Sequence, residues 1–106
     1  MKVEEILMTV DAIRENALCD EIKLEKLNDV EGRVFCEIMK KKPSDYEKII
    51  SGTQELSVPI PYSKIYVLYL TAFIAFAQGD YDAYKFIMSE YETAFCDYAV
   101  HCIRMR

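Results

Sequence analysis

The stretch ELSVPIPYSKIYVLYLTAFIAFAQGD, residues 55–80, decides the fold. Its first part alternates, with Leu56, Val58 and Ile60 set between Glu55, Ser57, Pro59 and Pro61. Two prolines remove backbone donors, so this piece can sit on a sheet edge, pair with another chain or lie extended over helices. Residues 65–77 are apolar all round except for Thr71. A membrane span needs about 20 such residues, so this shorter run predicts a central core helix. Ala72, Ala75 and Ala77 would let neighbouring helices approach closely. Residues 61–63 are placed to open that helix, because proline in a first turn loses no bond that would otherwise form. Gln78-Gly79-Asp80 reads as its end, with Gly79 just past the last turn and Asp80 capping the next helix.

Upstream, Val3, Ile6, Leu7, Val10, Ile13 and Ala17 recur at helical spacing, opposite Glu4, Glu5, Asp11, Arg14 and Glu15. This first helix is expected to end at residues 16–18. A second helix should follow a short turn at Cys19 or Asp20, with Asp20 the better cap. It carries Leu24, Leu27, Val30, Val34, Phe35, Ile38 and Met39 as far as Lys42, where Pro43 stops it. Lys40, Lys41 and Lys42 form the only basic run and suit a helix C-terminus. Gly32 lies inside this helix, which points to close approach of a crossing helix or, alternatively, to a hinge. Residues 43–61 keep no helical period and read as an extended arm.

Downstream, Tyr81, Tyr84, Met88, Tyr91, Phe95, Tyr98, Cys102 and Met105 step by three and four, a heptad seam along a long last helix. Such a seam is expected to pack inside the molecule, with tyrosines able to keep their hydroxyls at a wet margin. The fold class is therefore all-α, a small bundle of about four helices with a proline-containing arm between the second and third. The 106 residues form one domain, 1–106.

Charge and chemistry narrow the function classes. The formal net charge is −5, and an acidic balance disfavours the counterion displacement that nonspecific nucleic-acid binding requires. Glu4 and Glu5 interrupt the first apolar stretch, so no leader peptide is expected and the chain is expected to be mature as written. The four cysteines, Cys19, Cys36, Cys96 and Cys102, show no metal-ligand spacing and read mostly as small buried hydrophobes in a reducing compartment. On a helix Cys96 and Cys102 point about 120° apart, a poor half-site for a metal beside His101. One histidine gives no triad, and three glycines build no phosphate loop. The carboxylates read as solvent-facing. No enzyme, cofactor or metal is expected.

Three segments carry a family resemblance: KLEKLNDVEGRVFCEI (23–38), ELSVPIPYSKIYVLYLTAFIAFAQGDYDAY (55–84) and YETAFCDYAVHCIR (91–104). In order they give a Val-Glu-Gly step, a Val-Pro-x-Pro-Tyr entry to an aromatic helix, a Gly-Asp turn and a Tyr/Phe/Tyr ladder. The chain thereby resembles the head-to-tail connector (adaptor) proteins of tailed phages and prophages. It departs from the family pattern at Lys26, Ser57 and Lys85. The resemblance implies a structural subunit that docks on the portal protein, joins a homo-oligomeric ring lining the DNA channel, and receives neck or tail completion proteins. It further implies a monomer before docking, residence in the bacterial host cytoplasm and then in the virion neck, and neither sequence-specific nucleic-acid binding nor membrane attachment.

Within that picture Leu56, Val58, Pro59, Ile60 and Pro61 are the candidate partner or subunit interface, by strand addition or apolar contact. Burial against their own core is the equal alternative. Arg104 and Arg106 are candidates to reach an acidic neighbour. The competing expectation is a small cytoplasmic helical interaction or regulatory module without catalysis.

Overall fold

Four α-helices surround one core in the computed structural model, which describes residues 1–105: α1 (Val3–Ile13), α2 (Asp20–Arg33), α3 (Lys64–Ala77) and α4 (Tyr81–Arg104). The all-α bundle read from the sequence is the fold observed. Arg106 lies outside the described residues.

The apolar run places α3 at the centre. Ile65, Tyr66, Leu70, Ala72, Ile74 and Ala75 are all buried, and each large aliphatic among them contributes about 1.5–3 kcal/mol. α1 runs in the same sense as α3: Ser63 meets Met1 at one end, and Arg14 meets Gln78 at the other. α2 runs the opposite way, with Glu31 beside Tyr66 and Lys26 over the Phe73 ring. α4 is also antiparallel to α3, since Tyr62 stacks on His101 and Phe76 contacts Tyr81. Of the heptad seam, Tyr91, Phe95 and Tyr98 are buried, whereas its ends at Tyr81 and Met105 project into solvent.

The hairpin between α3 and α4 is built as its sequence predicts. Gly79 takes φ +79°, the Gly79 N–H donates to Phe76 O and the Asp80 N–H to Ala75 O. These are the two bonds of a glycine-terminated helix end. Asp80 then caps α4 by accepting from the Ala83 N–H at 3.2 Å. Arg14 pins the same carboxylate at 2.9 Å, and these bonds hold its pKa below the ordinary value.

Several boundaries differ from expectation. α1 ends at Ile13, before residues 16–18, because the Asn16 side chain bonds Asp11, the Arg14 carbonyl and the Leu18 N–H. Such local side-chain bonds compete with helix continuation. Cys19 occupies the N-cap of α2, and Asp20 lies in the first turn with Glu21, where carboxylates complement the helix dipole. The second helix stops short of Lys42: after Arg33 it widens into a π turn (Val34–Ile38), and Lys40 adopts φ 58°. Lys40, Lys41 and Lys42 thus follow the helix end, all exposed.

Gly32 meets no crossing helix, since a Cβ there would find nothing within 4 Å. α3 begins at Lys64 because residues 59–62 turn first, the Tyr62 N–H donating to Pro59 O. None of the cysteines is buried: Cys19 and Cys96 are exposed, Cys36 and Cys102 half-buried.

The arm, residues 43–61, supplies what α1 lacks. The N-cap Lys2 side chain makes no cap bond, Glu5 accepts only the Lys2 N–H at 3.1 Å, and the first-turn donors Val3 N–H and Glu4 N–H are taken by Gln54 O at 3.0 Å and Gly52 O at 2.9 Å. Unpaired first-turn donors are the weak point of any helix start. The Leu56 N–H returns a bond to Met1 O at 3.0 Å.

Candidate functional site

Two α2 side chains fasten the arm. Glu31 lies four residues after Leu27 and three before Val34, so helical register turns it onto the core face, where it is 6% exposed. One carboxylate oxygen accepts the Tyr66 hydroxyl; the other accepts the Ser57 N–H at 3.0 Å and the Ser57 hydroxyl at 2.9 Å. The Tyr66 oxygen in turn accepts the Val58 N–H at 3.0 Å. Burial, then the neighbouring Glu31 charge, drive the Tyr66 pKa far above its ordinary value, so the phenol stays a donor. A buried carboxylate is retained only where its acceptor sites are filled, as here. The expectation that the carboxylates all face solvent is therefore corrected at Glu31.

Asn28 is the second fastening. Its amide donates to Leu24 O and Ile49 O, both at 3.1 Å, and its oxygen accepts the Ile49 N–H at 2.8 Å and the Tyr46 hydroxyl at 2.7 Å. The side chain imitates a neighbouring strand, taking both backbone groups of Ile49. Burial and the charges of Glu31 and Asp29 push the Tyr46 pKa up to about 12.

These fastenings divide the candidate arm residues. Leu56 and Val58 pack into the molecule's own core, Val58 with no exposed surface. The bonds at Ser57, Val58 and Leu56 occupy the donors that a neighbouring strand would use. Pro59, Ile60 and Pro61 remain on the surface as a knuckle, with Ile60 70% exposed. Next to it, Tyr62 stacks on His101 with centroids 4.8 Å apart, which brings the last turn of α4 and exposed Arg104 to the same end. Pro59, Ile60 and Pro61 are thus exposed together, Arg104 is exposed three residues beyond the His101 contact, Leu56 and Val58 are buried, and Arg106 lies outside the described residues.

α2 also carries features the sequence reading missed. The Arg33 guanidinium forms paired bonds to Glu92 at 3.0 and 3.1 Å, bonds Glu37 at 2.8 Å, and lies 3.8 Å from the Phe95 ring centroid. It joins α2 to the middle of α4. On an adjoining face, α2 and the start of the arm line an open groove of about 640 Å³. Leu24, Gly32 and Cys36 from the helix and Pro43 and Tyr46 from the arm line it, under a row of Glu21, Glu25 and Asp29. The four-residue spacing of these acids announces one helix stripe; that the arm makes it the wall of a groove is a tertiary fact.

Among the described residues no group of three or more His, Cys, Asp or Glu is placed to hold a metal ion, and no helix is long and apolar enough to cross a membrane. No family model, no curated protein and no solved structure matches the chain.

Proposed function

We propose that this protein is a non-catalytic assembly subunit of the head-to-tail junction of a tailed phage or prophage, docking on the portal protein as a connector. The observation that carries the reading is the knuckle at residues 59–61. Ile60 stands in solvent on a segment whose preceding residues Ser57 and Val58 are locked by Glu31 and Tyr66. A pre-ordered apolar projection loses little freedom on binding, which favours recognition of another protein. The resemblance of three segments to connector proteins gives that partner its identity. In this reading the chain assembles from the host cytoplasm into the virion neck.

Chemistry supports the same direction. The most buried carboxylate, Glu31, is occupied by Ser57 and Tyr66, and the His101 ring packs against Tyr62 and Tyr98. The net charge of −5 suits a ring through which duplex DNA slides without being held.

The test is capture of the untagged chain by the tagged portal protein of the same genetic element. Retention that Ile60→Asp weakens supports the connector reading. Absence of retention, or tight retention of duplex DNA by the chain alone at low salt, contradicts it. A helical regulatory module would share the exposed knuckle and show no portal affinity.

A further inference from the structure

We infer that the groove between α2 and the arm is the seat for a cationic amphipathic helix of another protein. Its walls are built before a partner arrives. The Tyr46 hydroxyl donates to Asn28 at 2.7 Å, and the Tyr46 ring meets Phe35 with centroids 5.6 Å apart. Asn28, which also lines the groove, spends its amide on Leu24 O and Ile49 O and its oxygen on the Ile49 N–H and the Tyr46 hydroxyl. An apolar face laid over these side chains therefore strands none of their polar groups, and a preformed surface loses little freedom on binding.

Gly32 points to a helix as the occupant. A glycine inside a helix costs stability relative to alanine, and no helix of this chain uses the space, since a Cβ there would find nothing within 4 Å. Gly32 lines the groove with Cys36 one turn on, and two small side chains at this spacing let a second helix axis come close. The arm edge does not offer strand addition, which needs free backbone donors and acceptors. Both backbone groups of Ile49 are taken by Asn28. A helix arrives with its own backbone bonds made. The groove volume of about 640 Å³ receives a row of its apolar side chains.

Charge sets the chemistry of that helix. Glu21, Glu25 and Asp29 are exposed, follow one another a turn apart, and are opposed among the lining residues by Lys48 alone. Lys26 reaches Asp29 at 3.7 Å, whereas Glu21 and Glu25 have no ion-pair partner among the described residues. Lysines or arginines four residues apart on an incoming helix would meet these acids in turn. From Glu21 to Cys36 the lining covers about 20 Å of α2, enough to engage about four turns of the partner. The groove shares no residue with the knuckle at 59–61, so this surface and the portal contact proposed above are tested apart.

The test is fluorescence anisotropy of a labelled synthetic peptide titrated with the full chain. The peptide spans about five helical turns, with arginine at every fourth position along one edge and leucine and alanine on the adjoining face. The expected dissociation constant is below about 100 µM at about 50 mM salt, weakening toward about 500 mM. Gly32→Leu fills the groove and favours the helix, so it should melt no lower than the wild type and bind the peptide about tenfold or more weakly. Glu21→Gln with Glu25→Gln should weaken binding by about tenfold and flatten its salt dependence. Ile60→Asp should leave binding unchanged. The same peptide in scrambled order, or with prolines in its central turns, should bind about tenfold or more weakly. Absence of binding at about 1 mM, or wild-type affinity in Gly32→Leu or in the double glutamine variant, overturns the inference. Equal binding of the scrambled peptide overturns it by reducing the contact to charge. Equal binding of the proline peptide overturns it by making the groove a site for an extended chain, and weakened binding by Ile60→Asp overturns it by placing the contact at the knuckle.

Discussion

Glu31 on α2 accepts the hydroxyl of Tyr66 on α3 and, with its other oxygen, holds Ser57 of the arm. One buried carboxylate thus joins two helices to the segment that presents Ile60. Tyr66→Phe removes a donor to Glu31 and the acceptor of the Val58 N–H together. The expected loss is about 2–4 kcal/mol, since a buried charge and a buried N–H both lose a partner. Urea denaturation measures it, and a loss below about 0.5 kcal/mol would show the node to be dispensable.

Val58 and Ile60 are two residues apart and separate fold from surface. Val58 is fully buried and Ile60 largely exposed. Val58→Asp is expected to unfold the chain or cost more than about 4 kcal/mol. Ile60→Asp should change stability by less than about 0.5 kcal/mol. Thermal melts followed by circular dichroism distinguish them, and equal melting temperatures would contradict the assigned packing.

Lys23 and Asp11 form a pair at 2.7 Å in which the lysine residue is only 3% exposed. Bonds from Lys23 and then Asn16 hold the Asp11 pKa below its ordinary 3.8. A lowered folded value means the pair stabilises above pH 3.8, and that contribution disappears as pH falls through the folded value. Asp11→Asn should therefore cost about 1 kcal/mol at neutral pH, the outer partner being half exposed, and progressively less in acid. Denaturation midpoints across the acid range give the profile. A gap that widened on acidification would reverse the sign. Lys23→Met is expected to be neutral or stabilising.

Thr71 is buried in α3 with no hydrogen-bond partner for its hydroxyl among the described residues. Thr71→Val keeps the shape and removes the unsatisfied group, so a gain of about 1 kcal/mol is expected. A destabilisation of similar size would mean the hydroxyl has a partner.

Local chemistry was legible where it decides structure locally. Gly79 and Asp80 announced the hairpin, residues 65–77 the central helix, and the spacing of Tyr91, Phe95 and Tyr98 the face of α4 that packs. Glu31 was legible in principle from its register between Leu27 and Val34, but its charge argued for solvent, and burial became possible only with Ser57 and Tyr66 in place. Asn28 could not be read, because its partner Ile49 lies far along the chain and an asparagine on a helix has no signature for a strand-like bond. The π turn after Arg33 likewise has no spacing that distinguishes it from an ordinary turn. Alternation at Leu56, Val58 and Ile60 marked an extended segment, while the surface it covers was set by the helices beneath.

The most direct measurement of the connector account is native mass spectrometry of the assembled portal ring mixed with this chain. The account predicts a mass increase by whole copies of the chain, reduced when Ile60→Asp replaces the wild type. A portal ring whose mass is unchanged at saturating chain would contradict it.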